Sequence, residues 1–154
     1  MRVAAVLGRH QNRAASLEVM QSLVKRYPQH AVAHFAQAHL AVRSGELEQG
    51  LNAVDQALAL RPDWEEVALF KARILASKKD AARAQAFYES YLASYPSATG
   101  MRLNYARHLI DQKHWQMARE QFERVVRDVQ GDADAVYALG LLSLQTNRLD
   151  DADR

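Results

Sequence analysis

Residues 57–66 read ALALRPDWEE. A run of good helix formers stops at Pro62, and acidic residues suited to a helix start follow at once. Proline has no N–H and clashes with the preceding turn, so it ends one helix; just ahead of a new one it does no harm. In this reading Asp63 is an N-cap, and Glu66, three residues later, closes a capping box. The stretch is then a joint between two helices, and the joint recurs. The chain's three prolines, Pro28, Pro62 and Pro96, stand 34 residues apart, in SLVKRYP, ALALRP and YLASYP. A further step of 34 lands on Gln130, within VVRDVQGDAD, where Gly131 and Asp132 supply the break. A fixed period between about 20 and 50 residues marks a stacked-repeat protein.

Each period carries two helical patterns. After Pro62, EEVALFKARILAS places Val67, Phe70, Ile74 and Leu75 on one 3.6-residue stripe. The run breaks at SKKD, where Asp80 can cap a second helix, AARAQAFYESYLASY. Neighbouring periods break at corresponding points: RSGE, DQKH and QTNR. Gly45 and Asn147 suit the left-handed backbone that short helix–helix turns need, whereas Lys79 and Lys113 do not, so those two turns are expected to be built differently.

This pattern resembles the tetratricopeptide repeat (TPR) family, whose 34-residue motif has small residues at positions 8, 20 and 27 and proline at 32. Counting from Ala31, the first full repeat has Ala38, Gly50, Ala57 and Pro62 there, with Gly45 at the turn. The second has Ala72, Ala84 and Pro96, but Tyr91 replaces the third small residue. The third has Ala106 and Ala118, then Val125 and Gln130; the fourth has Gly140 and Ala152. The expected organisation is one array: a partial repeat at 1–30, whose second helix covers 12–28, whole repeats at 31–64, 65–98 and 99–132, and a truncated repeat at 133–154. The resemblance implies an all-α fold, a right-handed α-solenoid of antiparallel helix pairs. Small residues let paired helices approach closer than the usual 8–10 Å or so. Tyr91 breaks that rule, so a wider crossing or a turned-out ring is expected there. Each hairpin alone buries too little and leans on its neighbours. The chain reads as a fragment of a longer protein with an exposed apolar end at Leu139–Leu144.

Composition bounds the function. With 49% apolar and 25% charged residues, six glycines and three prolines, the chain is neither disordered nor a loop-rich β protein. Net charge is +2, but the signs alternate along the chain, so no basic tract steers nucleic acid. There is no cysteine, which excludes disulfide and thiol chemistry. No apolar run is long enough to span a membrane, and VAAVLG near the start is too short for a signal-peptide core. The repeats also resemble those of exported bacterial TPR proteins, so both a cytoplasmic and a periplasmic home stay open.

No catalytic signature is present: no Gly-rich phosphate loop, no G-x-S-x-G, no H-E-x-x-H and no cysteine-based metal box. The chain therefore reads as a non-enzyme without cofactor. His30, His34 and His39 have spacings that zinc sites use, but no acidic ligand lies near them. They are expected in the joint, partly packed and facing outward, respectively, and His108 and His114 make no better case. The aromatics of AFYESYLASY read as core because no Arg/Lys cluster accompanies them, and Trp64 and Trp115 read as packing near joints.

In the TPR family the first helix of each pair lines the inner wall, with motif positions 5 and 9 one turn apart on a shared face. Here they are Phe35 and His39, Leu69 and Arg73, Leu103 and Arg107, and Tyr137 and Leu141. An apolar row thus runs beside a row that is basic in the middle repeats, extended by Val42 and Ile110. The resemblance implies a scaffold that holds an extended peptide or partner protein in this groove, with Arg73 and Arg107 pairing to carboxylates. The opposing reading is that the arginines are merely solvated and Phe35 packs into the next helix. Chaperone-tail binding is not expected, since Phe35, Leu69 and Leu103 stand where that clamp needs polar groups and Asn104 alone resembles it. Two alternatives remain: a self-assembling structural module joined through the exposed C-terminal end, or the docking or regulatory arm of a larger enzyme.

Overall fold

The computed structural model describes residues 15–16, 18–129 and 132–152. Every regular element among them is helical: α1 (18–26), α2 (Ala31–Arg43), α3 (Leu47–Leu60), α4 (Glu65–Ser77), α5 (Ala81–Ser94), α6 (Thr99–Asp111), α7 (Trp115–Asp128) and α8 (Ala133–Ala152). The fold is all-α, of the helical-hairpin α-solenoid class. Helices α2, α4, α6 and α8 begin at 31, 65, 99 and 133, and α3, α5 and α7 at 47, 81 and 115, so the 34-residue period is kept in both halves of the hairpin. None of these helices is long and apolar enough to cross a membrane. The partial repeat ahead of residue 15 and the break at Gly131 lie outside the described residues.

The chain divides into two compact units, Met1–Lys79 and Asp80–Arg154. In the first, α2 packs on α3 and α3 on α4, around Ala38, Ala41, Val54 and Ala57, all fully buried. The α2–α3 crossing is close because Gly50 has no side chain. A Cβ there would sit 2.7 Å from Val42 Cγ2. In the second unit α6 packs on α7 and α7 on α8, with Ala106, Phe122, Val125 and Ala135 at the centre.

Polar contacts recur with the same period. The His34 ring donates through Nε2 to the Pro28 carbonyl at 2.9 Å. In the other unit, Arg102 Nη2 donates to the Pro96 carbonyl at 2.7 Å. Each pair is six residues apart, and in each a donor in the first turn of a first helix satisfies the carbonyl of the proline that ended the previous one. A second tie joins a first helix to the preceding second helix: Lys71 to Asp55 at 2.7 Å, and, 34 residues later, the Tyr105 hydroxyl to Glu89 Oε1 at 2.7 Å. Lys78 also pairs with Glu48.

Three local expectations are revised and one is narrowed. Asp63 does not cap α4. The Trp64 N–H closes on the Arg61 carbonyl at 3.2 Å, so Pro62 and Asp63 form a turn; Trp64 is the N-cap and makes no side-chain cap bond. Asp80 does cap α5, accepting from the Arg83 N–H, and Asp132 caps α8 through Ala135. Lys79 and Lys113 are not differently built turns: their φ values of 57° and 62° match the left-handed state of Gly45 at 87°. The hydrogen bonds agree. Glu46 and Gly45 donate to Ala41 and Val42, and His114 and Lys113 to Leu109 and Ile110, the paired bonds of a Schellman cap in both hairpins. The fourth turn, at QTNR, is absent, because α8 continues from Ala133 to Ala152. No glycine or proline interrupts the chain from Leu141 onward, and the Thr146 hydroxyl bonds back to the Leu142 and Ser143 carbonyls within the helix. Tyr91, finally, is buried against the rings of Phe87 and Tyr95 and is not turned out.

Candidate functional site

The residues expected to line a groove fall into both units, four in each. In the first unit α2 supplies Phe35 and His39, and α4 supplies Leu69 and Arg73. Phe35 is only 8% exposed. Its ring meets Trp64 edge-on at 5.2 Å and Phe70 at 5.5 Å, the favourable arrangement for aromatic pairs. It is thus the bed of the surface. His39 lies above it, its ring 4.5 Å from Phe35 and 4.2 Å from Phe70. The exposed Arg73 guanidinium stands 5.5 Å over the Phe70 ring. Leu69 is half-buried, as is Trp64, whose ring carries the Arg61 guanidinium at 4.3 Å. Among the described residues Arg73 pairs with no carboxylate. The result is a compact shelf with an aromatic floor and a cationic upper face, able to take an apolar side chain beside a carboxylate.

In the second unit Leu103 is half-buried against the Ala106–Phe122–Val125–Ala135 core, and Ile110 joins it there. Arg107 is exposed. Tyr137 is 70% exposed, and Leu141 and Leu144 are exposed beside it on α8, while Leu142 between them is buried. Val42, in the first unit, is half-buried at the Gly50 crossing. Asn104 turns its amide back to the Gly100 carbonyl.

Two contributors escaped the sequence reading. Phe70 belongs to the buried stripe of α4, yet its ring is what His39 and Arg73 rest on. Arg102, only 5% exposed, has the charge of a surface residue but serves a joint carbonyl. Its register was the available signal, since His34 is the donor at the matching place two periods earlier. The histidines serve separate ends. His30 caps α2 by accepting from the Ala33 N–H, His34 is buried on Pro28, and His39 stacks. His108 is buried, its Nε2 donating to the Ala81 carbonyl. No group of three metal-ligating side chains occurs among the described residues.

Tetratricopeptide repeat family models match residues 35–99 and 75–140. The chain belongs to the TPR family. Solved TPR structures are similar to it throughout. MamA (residues 41 to the end) of Desulfovibrio magneticus RS-1 is 13% identical, with 99% of this chain and 86% of that one covered and a TM-score of 0.67. TTC0263, a thermophilic TPR protein of Thermus thermophilus, is 20% identical over 93% of this chain and 77% of its own, also at 0.67. YrrB, described as a TPR protein with an unusual peptide-binding site, is 16% identical over 96% and 76%, at 0.63. No curated protein sequence matches the chain. TPR proteins bind proteins or peptides and are in general non-catalytic, so the TPR assignment supports a protein-interaction scaffold.

Proposed function

We propose that this TPR chain holds an extended peptide, or an extended segment of a partner protein, on the exposed faces of its first helices. In the first unit the ligand lays an apolar side chain against Leu69 and the edge of the Phe35–Phe70 bed, and a carboxylate pairs with Arg73 beside His39. In the second unit Leu103 and Arg107 repeat the pairing, and Tyr137 and Leu141 extend the apolar row. The observation that carries this reading is the Arg73 guanidinium stacked on Phe70, exposed and without a carboxylate partner among the described residues. Such a cation is pre-oriented and ready to accept an acidic ligand.

Selection from a displayed library of random peptides tests it. Binders should pair an acidic residue with a large apolar one, and Arg73→Glu and Arg107→Glu should each weaken them about tenfold or more, the scale of a charge-assisted hydrogen bond turned repulsive. Circular dichroism should remain unchanged. Selected peptides that bind both variants as tightly as the parent would reject the assignment.

A second reading has its own support. Val136, Tyr137, Leu141 and Leu144 make an exposed apolar face on α8, and self-association through it would bury them. Light scattering over a concentration series separates the two, because a scaffold holding a peptide stays monomeric at all concentrations.

A further inference from the structure

In the second unit, away from the first-helix faces, a cleft of about 370 Å³ opens between the start of α6 and the C-terminal half of α7. Arg102 and Arg124 both line it, with Ser97, Thr99 and Asp128 at its rim. Arg102 is nearly buried and fixed twice, through Nη2 to the Pro96 carbonyl at 2.7 Å and through Nη1 to Gln121 Oε1 at 3.0 Å. A guanidinium carries five N–H donors, so two contacts leave capacity over. No buried side-chain nitrogen or oxygen among the described residues lacks a partner, so the Nε–H, which neither contact uses, is not sealed from solvent. Arg124 Nε stands 3.7 Å from Asp128 Oδ2, with both side chains about half exposed. The cleft therefore holds two guanidiniums against one carboxylate.

The charges are not neutral towards one another. Arg102 is held below the usual arginine range, first by burial and then by the charge of Arg124, with Asp128 opposing the shift. The joint does not need this arrangement. Two periods earlier, His34 makes the same contact to Pro28, with Gln56 standing where Arg124 does and Leu60 where Asp128 does. The latch requires one donor. The second guanidinium is additional, and it places a like charge beside one that is already desolvated.

We propose that this cleft binds a phosphoryl oxyanion, held between the guanidiniums of Arg102 and Arg124 with the Ser97 and Thr99 hydroxyls at its edge. Planar guanidinium forks match the oxygens of a phosphate, and an anion between two of them removes their mutual repulsion. The Thr99 hydroxyl makes only a long bond to the Ser97 carbonyl, at 3.4 Å, and can turn to the ligand. Asp128 is the opposing element and keeps the affinity moderate.

The test is a titration of the full isotope-labelled chain with inorganic phosphate, and separately with O-phosphoserine, at constant ionic strength against chloride. The arginine Nε–H signals report it. Saturable shifts at Arg102 and Arg124 are expected with phosphate and not with chloride. Tighter binding of O-phosphoserine assigns the natural source to a phosphorylated side chain; equal binding assigns it to free phosphate. Arg124→Gln, at a half-exposed position that leaves the fold intact, should weaken binding about tenfold. Asp128→Asn should strengthen it. Arg127→Gln removes an exposed charge from the same helix outside the cleft and should change nothing. Shifts that never saturate, that chloride reproduces, or that Arg127→Gln reduces as much as Arg124→Gln does would overturn the proposal.

Discussion

Lys113 occupies a backbone state that lysine disfavours, and replacing it should make the protein more stable. At φ 62° it sits in the left-handed region, where Cβ crowds the following carbonyl at a cost of about 1–2 kcal/mol. Glycine escapes that crowding but loses more freedom on folding, by roughly 0.5–1 kcal/mol. The difference predicts that Lys113→Gly stabilises the second unit by about 0.5–1 kcal/mol. For a chain of this size that is about 2 °C in melting temperature. The Lys113 side chain is exposed and makes no ion pair among the described residues, so little is lost with it. Lys113→Ala removes the same side chain while keeping the Cβ, and should be near neutral, which isolates the backbone effect. The converse is Gly45→Ala. A Cβ at Gly45 meets nothing within 4 Å, so its cost is conformational alone, about 1 kcal/mol of destabilisation. Urea unfolding followed by tryptophan emission measures each. Trp64 and Trp115 are the only tryptophans and lie one in each unit, so a Trp64→Phe background reports the second unit alone. If Lys113→Gly lowered the midpoint while Lys113→Ala did not, the left-handed turn would not be a source of strain, and the reasoning would fail.

Gly50→Ala gains helix propensity worth up to about 1 kcal/mol but drives a Cβ to 2.7 Å from Val42, whose branched side chain has little room to move. Overpacking of this kind costs about 1–3 kcal/mol, so the single variant should be less stable, and Val42→Ala in the same molecule should restore most of the loss in a denaturation double-mutant cycle. Phe35→Ala should destabilise the first unit by about 3–5 kcal/mol because the ring is the packed bed under His39, so a calorimetric loss there, unlike one for Arg73→Glu, says nothing about ligand binding. The Tyr105 phenol is pushed well above its ordinary range, first by burial and then by its hydrogen bond to Glu89. A raised folded value stabilises fully below the unfolded pKa of about 10 and is lost as pH rises through the folded one. Melting temperature should therefore fall more steeply above that pH in the parent than in Tyr105→Phe. Glu89 is shifted down, by its bonds to Gln85 and then Tyr105, and its contribution is lost only on the acid side.

The parts legible from sequence are those that repeat. The period of 34 located the starts of α2, α4, α6 and α8, since proline and small residues act wherever the chain must stop or cross closely. The parts that were not legible depend on which rule wins at one residue. Lys113 is a poor left-handed residue, yet the paired Schellman bonds to the preceding helix and the packing of α6 on α7 over-determine its turn, so tertiary demand overrides local preference there. Lys79 takes the same backbone state with its N–H closing on the Ala76 carbonyl. Asn147 is the better left-handed residue of the three, yet it lies within α8. At these three positions propensity tracked the geometry in neither direction, whereas Gly45 took the left-handed state that suits it. Asp63 failed for a narrower reason: proline and its neighbour were used up in a turn, which moved the helix start one residue on.

The site shows the same division between place and chemistry. Phe35 and His39 stand one turn apart with their rings 4.5 Å from each other, but the depth of each ring is set by Phe70 and Trp64, which arrive from another hairpin. Nothing in QHAVAHFAQAHL specifies those neighbours. The polar ties make the general point. A repeat fixes where a carbonyl is left unsatisfied and where two helices come within reach, while leaving open which side chain answers. Imidazole at 34 and guanidinium at 102 serve one kind of carbonyl; ammonium–carboxylate at 71 and 55 and phenol–carboxylate at 105 and 89 serve one kind of crossing. The first two each satisfy a backbone carbonyl and the last two each tie neighbouring helices, but they differ in charge and in the donors left over. Arg102 brings a buried cation to a place where His34 brings a ring, and only there does a second guanidinium on the neighbouring helix create a surplus positive charge. Function in such an array can therefore arise at a structural latch, because the latch constrains geometry and leaves the electrostatics free to vary from repeat to repeat.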